Sequence, residues 1–198
     1  MTSYCRAVRN NAIADEWNRV YHDFEYGFPL RDDAALFERL SLEINQAGLS
    51  WLTILKKKDN FSKAFEGFDP AVVARYGDAE RTRLLNDAGI IRNRLKVDAV
   101  IENARRILVL REKHGSFAHW LDAQHPLTRA EWCKLFKNTF LFTGGEIVNE
   151  FLLSTGYLAG AHDDDCRVHA TIAKLKPPHL IVDAHPVKGT PDKVERRE

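Results

Sequence analysis

Two thiols and two imidazoles stand near opposite ends of this 198-residue chain. Cys5 and His22 lie early; His162 and Cys166 lie late, in the run His-Asp-Asp-Asp-Cys. Together they are a complete tetrahedral ligand set for zinc. His162 and Cys166, four positions apart, share a face on one helical turn. Cys5 and His22 follow no short zinc-finger spacing. Each has an ordinary alternative: Cys5 as a free thiol near a terminus, His162 as a solvated imidazole beside an acidic run. If the four converge, the ion is structural, because no coordination position remains for water.

A second chemical feature is the segment Asp87-Ala88-Gly89-Ile90-Ile91-Arg92-Asn93-Arg94-Leu95-Lys96. A short glycine-containing hairpin between helices can leave backbone N–H groups pointing outward, with Gly89 free to take a positive φ. Such donors suit a phosphate, and Arg92, Arg94 and Lys96 follow at once. The plainer reading is a glycine C-cap between two core helices with a solvated basic face. A third feature is Glu43, a carboxylate beside the apolar stripe of its helix. A partly buried carboxylate needs a partner; a solvated one needs none.

The elements that must position these residues read as helical almost throughout. Asp32 and Asp33 precede a stripe of Leu36, Phe37, Leu40, Ile44 and Ala47. Asp69 and Pro70 open another helix as N-cap and first residue, and Asp78 is expected to cap the next. After the break at Gly89 runs a long amphipathic helix with Val97, Val100, Ile101, Ala104, Ile107 and Leu108 on one face. Further helices are expected at about 116–123, 128–137 and 145–155. The expected fold class is all-α. Residues 171–198 hold four of the seven prolines and read as an extension of a 1–170 domain.

Hydrophobic residues make up 44% and charged residues 29%, with a net charge of +1. That excludes a global basic field, so nucleic-acid binding would need a local patch. No run approaches the roughly 18 apolar residues of a membrane span. The N-terminus lacks the apolar core of a signal peptide. Three scattered cysteines cannot frame a disulfide scaffold; Cys133, beside Trp132, reads as a buried core thiol. A cytoplasmic setting is expected.

Several segments together resemble the 3-methyladenine DNA glycosylase I family. They are Tyr21-His22-Asp23, Leu42-Glu43, and Gln46-Ala47-Gly48-Leu49-Ser50-Trp51. Asp87 to Arg94 with Lys96 and Asn103-Ala104-Arg105, Phe142-Thr143-Gly144, and the His162/Cys166 pair complete the set. The resemblance covers about residues 1–170. It implies a helix–hairpin–helix glycosylase fold and one structural zinc held by Cys5, His22, His162 and Cys166. It also implies a monomeric, monofunctional enzyme that hydrolyses the N-glycosidic bond of 3-methyladenine in alkylated double-stranded DNA and releases the free base. By the same resemblance Glu43 contacts the base as catalytic residue, and Tyr21, Tyr26 and Trp51 form its aromatic surround. Gly48 and Leu49 press into the duplex, unless Leu49 is core, and Gly89, Arg92, Arg94 and Lys96 hold the DNA backbone.

This chain departs from the family pattern at Ala7, Asn18, Gly145 and Glu146, and carries four extra residues between Cys5 and His22. These changes are expected either to widen the pocket or to add negative charge to it from Glu146. These departures motivate an alternative, a non-catalytic DNA- or lesion-binding protein on the same scaffold. The family lacks the aspartate that the wider glycosylase group often places after the hairpin, and Asp98 falls too soon to supply it.

Overall fold

A computed structural model describes residues 3–10, 12 and 15–181. These residues form twelve α-helices and two short 3₁₀ turns, with no strand among them. In chain order the helices are α1 (Tyr4–Arg9), α2 (Glu16–Phe24), α3 (Asp33–Gln46), α4 (Trp51–Leu55), α5 (Lys58–Ala64) and α6 (Pro70–Val73). There follow α7 (Asp78–Asn86), α8 (Arg94–His114), α9 (Phe117–Gln124), α10 (Arg129–Thr139), α11 (Gly145–Ser154) and α12 (Arg167–Lys174). Among the described residues no helix is long and apolar enough to cross a membrane.

Most starts follow from local side-chain chemistry. Asp32, Ser50, Asp69, Asn93 and Thr128 each accept a backbone N–H of the first turn, which an isolated helix end leaves unpaired. Pro70 occupies the first position of α6, as expected. The start of α7 differs. Gly77 is the cap and Asp78 the first helical residue; the Glu80 carboxylate reaches back 2.7 Å to the Gly77 N–H. That is the glutamate's half of a capping box; the other half is missing because Gly77 has no side chain to accept a first-turn N–H.

Helix α3 runs through the middle. Its Leu36, Phe37, Leu40, Leu42 and Ile44 are buried against Val97, Val100, Ile101, Ala104 and Ile107 of α8 and Val148, Phe151 and Leu152 of α11. Leu108 is only half-buried, and Leu110 closes the α8 stripe instead. Trp120, Phe117, Phe136 and Phe140 add a cluster of rings with centroids 5.4–5.8 Å apart, within the range where such pairs attract beyond their buried area.

The boundary expected at 170/171 falls inside α12. The chain stays packed through the 3₁₀ turn Pro178–Leu180, where the His179 N–H donates to the Gly156 carbonyl at 3.0 Å. Residues 182–198 of the expected extension lie outside the described residues.

Candidate active site and metal centre

The four terminal ligands converge. Cys5 projects from α1 and His22 from α2; His162 lies in the loop before α12, and Cys166 is that helix's N-cap. Their donor atoms all lie within 4.8 Å of one another. Cys5 Sγ is 3.4 Å from His162 Nδ1, and Cys166 Sγ is 3.6 Å from the same nitrogen and 3.8 Å from His22 Nε2. With metal–sulfur and metal–nitrogen bonds of about 2.3 and 2.0 Å, a tetrahedron has edges of roughly 3.3–3.8 Å. The donor set therefore fits a zinc-sized ion.

The other ring nitrogens are also engaged. His22 Nδ1 is 2.8 Å from Asp23 Oδ1, and His162 Nε2 is 2.7 Å from the Tyr26 carbonyl. A carboxylate and a carbonyl in these places fix ring orientation and leave the remaining nitrogen available to a metal ion. Gly27, at φ 82°, lets the backbone pass close by; a Cβ there would meet Ala161 Cβ at 3.0 Å and His162 Cδ2 at 3.2 Å.

Beside this centre opens a cleft of about 880 Å³ lined by Tyr21, Tyr26, Glu43 and Trp51, among others. That volume lies in the range of small-molecule sites. Tyr21 comes from α2, Tyr26 from the turn after it, Glu43 from α3 and Trp51 from the first turn of α4, which Ser50 caps. The Tyr21 and Trp51 ring centroids are 5.0 Å apart, and those of Tyr21 and Tyr26 5.7 Å. Arg39, also buried, stacks over the Tyr21 ring and donates to its hydroxyl at 3.1 Å.

Glu43 is 3% exposed, and among the described residues no hydrogen bond reaches its carboxyl. Burial pushes that carboxyl up to about 8; Arg39 opposes the rise and Glu150 adds to it. At neutral pH it is mostly the neutral acid, which has one donor as well as acceptors to offer.

Two pocket residues, Tyr4 and Glu150, escaped the sequence reading. Tyr4 lines the cleft with its ring 5.4 Å from that of Tyr26, and its hydroxyl donates to Asn18 Oδ1 at 2.9 Å. Its signal was adjacency to Cys5. Asn18 is itself buried and bonded to Asp15, so this departure from the family pattern serves as the bracket for Tyr4. Glu150 also lines the cleft and accepts the Tyr26 hydroxyl at 3.2 Å. Its signal was a charge among the apolar Ile147, Val148, Phe151 and Leu152.

Glu146 does not charge the pocket. It lines a neighbouring groove, and its carboxylate pairs with Arg129 at 2.6 Å; Glu150, one turn further along the same face of α11, is the residue that meets Tyr26. Gly145 lines the same groove, and Ala7 does not line the cleft. Cys133 is half-buried rather than buried, while Trp132 beside it is fully enclosed.

The surface around the cleft sorts the proposed backbone contacts. Gly48 takes φ 80°, a conformation other residues rarely adopt. Leu49 after it is 41% exposed, so it is not core. Arg92 and Arg94 are exposed and, among the described residues, join no ion pair.

Two expectations fail here. Gly89 does not take a positive φ; a Cβ there would meet Asp87 Oδ1 at 2.9 Å and Asn60 Cβ at 3.2 Å, and its N–H is already bonded to that aspartate at 2.7 Å. Lys96 is buried and cannot hold phosphate. Its ammonium donates to the carbonyls of Asn45 and Ala47 at 2.8 and 2.7 Å, satisfying the C-terminal end of α3. Asp98 is held by Arg81 at 2.9 Å.

Comparison with known proteins agrees with this geometry. The Methyladenine glycosylase family profile matches residues 11–169. The chain is 46% identical over 102 residues to DNA-3-methyladenine glycosylase 1 of Escherichia coli (strain K12), an alignment covering 52% of this chain and 54% of that protein. It is 32% identical over 185 residues to DNA-3-methyladenine glycosylase of Haemophilus influenzae, covering 84% of this chain and 97% of the relative.

Among solved structures, a 3-methyladenine DNA glycosylase I variant in complex with 3-methyladenine superposes with a TM-score of 0.72. It is 33% identical, and the match covers 78% of this chain and 93% of that one. A mutant of the Staphylococcus aureus enzyme gives 0.73 at 31% identity, covering 85% and 97%. With more than three-quarters of its length matched by the profile and by whole relatives, the chain belongs to the methyladenine glycosylase family.

Proposed function

We propose that this protein is a monofunctional DNA glycosylase that hydrolyses the N-glycosidic bond of 3-methyladenine in alkylated duplex DNA. It frees the base and leaves an abasic site without cutting the strand. The observation that carries the reading is one cleft in which Tyr21, Tyr26 and Trp51 surround the unbonded, buried carboxyl of Glu43.

Methylation at N3 makes the base cationic in the nucleotide, so it leaves as a neutral molecule and needs little further push. The protein must then chiefly supply recognition, through an extruded base, an aromatic surround and a placed polar group. The rings suit a cationic purine, which gains cation–π attraction over a neutral one. As a neutral acid, Glu43 accepts from the exocyclic amino group with its carbonyl and donates to the adjacent ring nitrogen with its hydroxyl. Leu49 replaces the lost stacking in the duplex, and Arg92 and Arg94 hold phosphates.

Cys5, His22, His162 and Cys166 would hold a zinc ion, whose role when bound is to fix structure. The protein acts as a monomer in the cytoplasm.

The test is incubation with methylated duplex DNA followed by chromatography of the released bases. Wild type is expected to free 3-methyladenine, and Glu43→Leu, which can make neither bond to the base, to do so at least about tenfold more slowly, the loss expected of one ligand hydrogen bond. A wild-type protein that binds DNA yet frees no base would instead be a lesion-binding protein on this scaffold.

A further inference from the structure

The base cleft and the groove beside Gly48 and Leu49 are separate hollows that share two side chains, Gln46 and Glu150. If an extruded base fills the cleft while Leu49 presses into the duplex, the deoxyribose joining them must cross that shared rim. Of the two rim residues only Glu150 carries a carboxylate. Its oxygens are held from behind, Oε2 by the Tyr26 hydroxyl at 3.2 Å and Oε1 by the Asn149 amide at 3.1 Å. Among the described residues no cation pairs with it.

The other carboxylates nearby are committed. Asp15 caps α2 and bonds Asn18; Asp163 takes Ser3 and Arg6; Glu146 takes Arg129. Glu43 lines the base cleft but not the groove, so it is not on the shared rim.

We propose that Glu150 is a further catalytic residue, its carboxylate facing C1′ of the deoxyribose. This rests on the glycosylase reading above and deepens it. When the C1′–N9 bond breaks, both bonding electrons go to the base, which becomes neutral 3-methyladenine. The sugar is left as an oxocarbenium cation, its charge shared by C1′ and the ring oxygen. Water then adds at C1′, and its proton passes to the Glu150 carboxylate and on to solvent.

Positive charge therefore migrates during the reaction from the base toward the rim. A fixed negative charge at the rim is closer to the cation in the transition state than in the ground state. Only such a difference raises the rate of the chemical step.

Two measurements on the full-length protein test this. Duplexes are made with a pyrrolidine abasic analogue, cationic at the sugar, or with a neutral tetrahydrofuran analogue. Wild type is expected to bind the cationic duplex about tenfold tighter than the neutral one, and Glu150→Gln to lose that preference while binding the neutral duplex as before. In base release, Glu150→Gln is expected to lower kcat by about ten- to a hundredfold with KM little changed.

A merely structural role would not move the cation preference. Glu150→Ala supplies the same comparison should Glu150→Gln melt below wild type. The proposal is overturned if wild type shows no preference, if the variant keeps it, or if the loss lies wholly in KM. Absence of base release by wild type would sink the glycosylase reading itself. A full wild-type rate in Glu150→Gln would sink only the role of Glu150.

Discussion

The two pocket glutamates differ in what encloses them, and that difference is measurable. The Glu43 carboxyl titrates near 4.5 when exposed and near 8 in the fold, chiefly because burial disfavours its charge. The folded state thus favours the neutral acid. Stability from this group is complete below about pH 4.5 and is lost as pH rises through about 8. Glu43→Gln is neutral at every pH. Its thermal midpoint is therefore expected to gain on wild type by several degrees between pH 5 and 9, the scale a few kcal/mol produces in a domain of this size. Parallel pH profiles in melting experiments would show that the carboxyl is not buried as described. Because the donor is the neutral form, the affinity of wild type for free 3-methyladenine is expected to fall over the upper part of that range.

At the scale of elements, Lys96 parts from the two arginines before it, although their spacing suggests one shared role. Lys96 binds α8 to the end of α3, so Lys96→Ala leaves two buried carbonyls unpaired. Each such loss costs about 1–3 kcal/mol, and the variant is expected to melt well below wild type. In Arg92→Ala/Arg94→Ala the melting point should hold, while DNA affinity falls and its dependence on salt becomes shallower by about two phosphate contacts. Affinity measured from low to moderate salt separates the cases; a double arginine variant with an unchanged salt slope would remove these side chains from the interface.

The sequence was legible where periodicity and caps act locally: the Asp69-Pro70 start and the helix break at Gly89 stand as read, and the α3 and α8 stripes do so except at Ala47 and Leu108. It was less legible where a side chain's direction is set by tertiary packing. A basic run looks the same whether a lysine faces solvent or the end of another helix. Glu146 and Glu150 are one helical turn apart, and only the packing of α11 on α3 decides which of them meets Tyr26.

For the whole molecule, the metal centre is where distant sequence becomes one object. Residue type and the family resemblance named all four candidate ligands, because cysteine and histidine are chemically conspicuous; Asp23 and the Tyr26 carbonyl were not visible as their supports. Metal analysis is expected to find about one zinc per chain. Removing it with a chelator, or replacing Cys166 with Ala, is expected to lower the thermal midpoint by about 10 °C or more, since site formation is coupled to folding. A metal-free protein of undiminished stability would leave the four residues without this role.

The Tyr26 carbonyl that receives His162 has a bearing on how the protein is made. Residues 21–26, which bring two of the pocket's rings, leave the ribosome early, but the imidazole that anchors their turn and the last thiol come only after position 160. At roughly 5–20 residues per second, this wait lasts on the order of ten seconds or more. During synthesis Arg39 can already hold Tyr21, but the turn that carries Tyr26 waits for its imidazole anchor. A chain that ends before position 162 is therefore without this brace on one wall of its pocket.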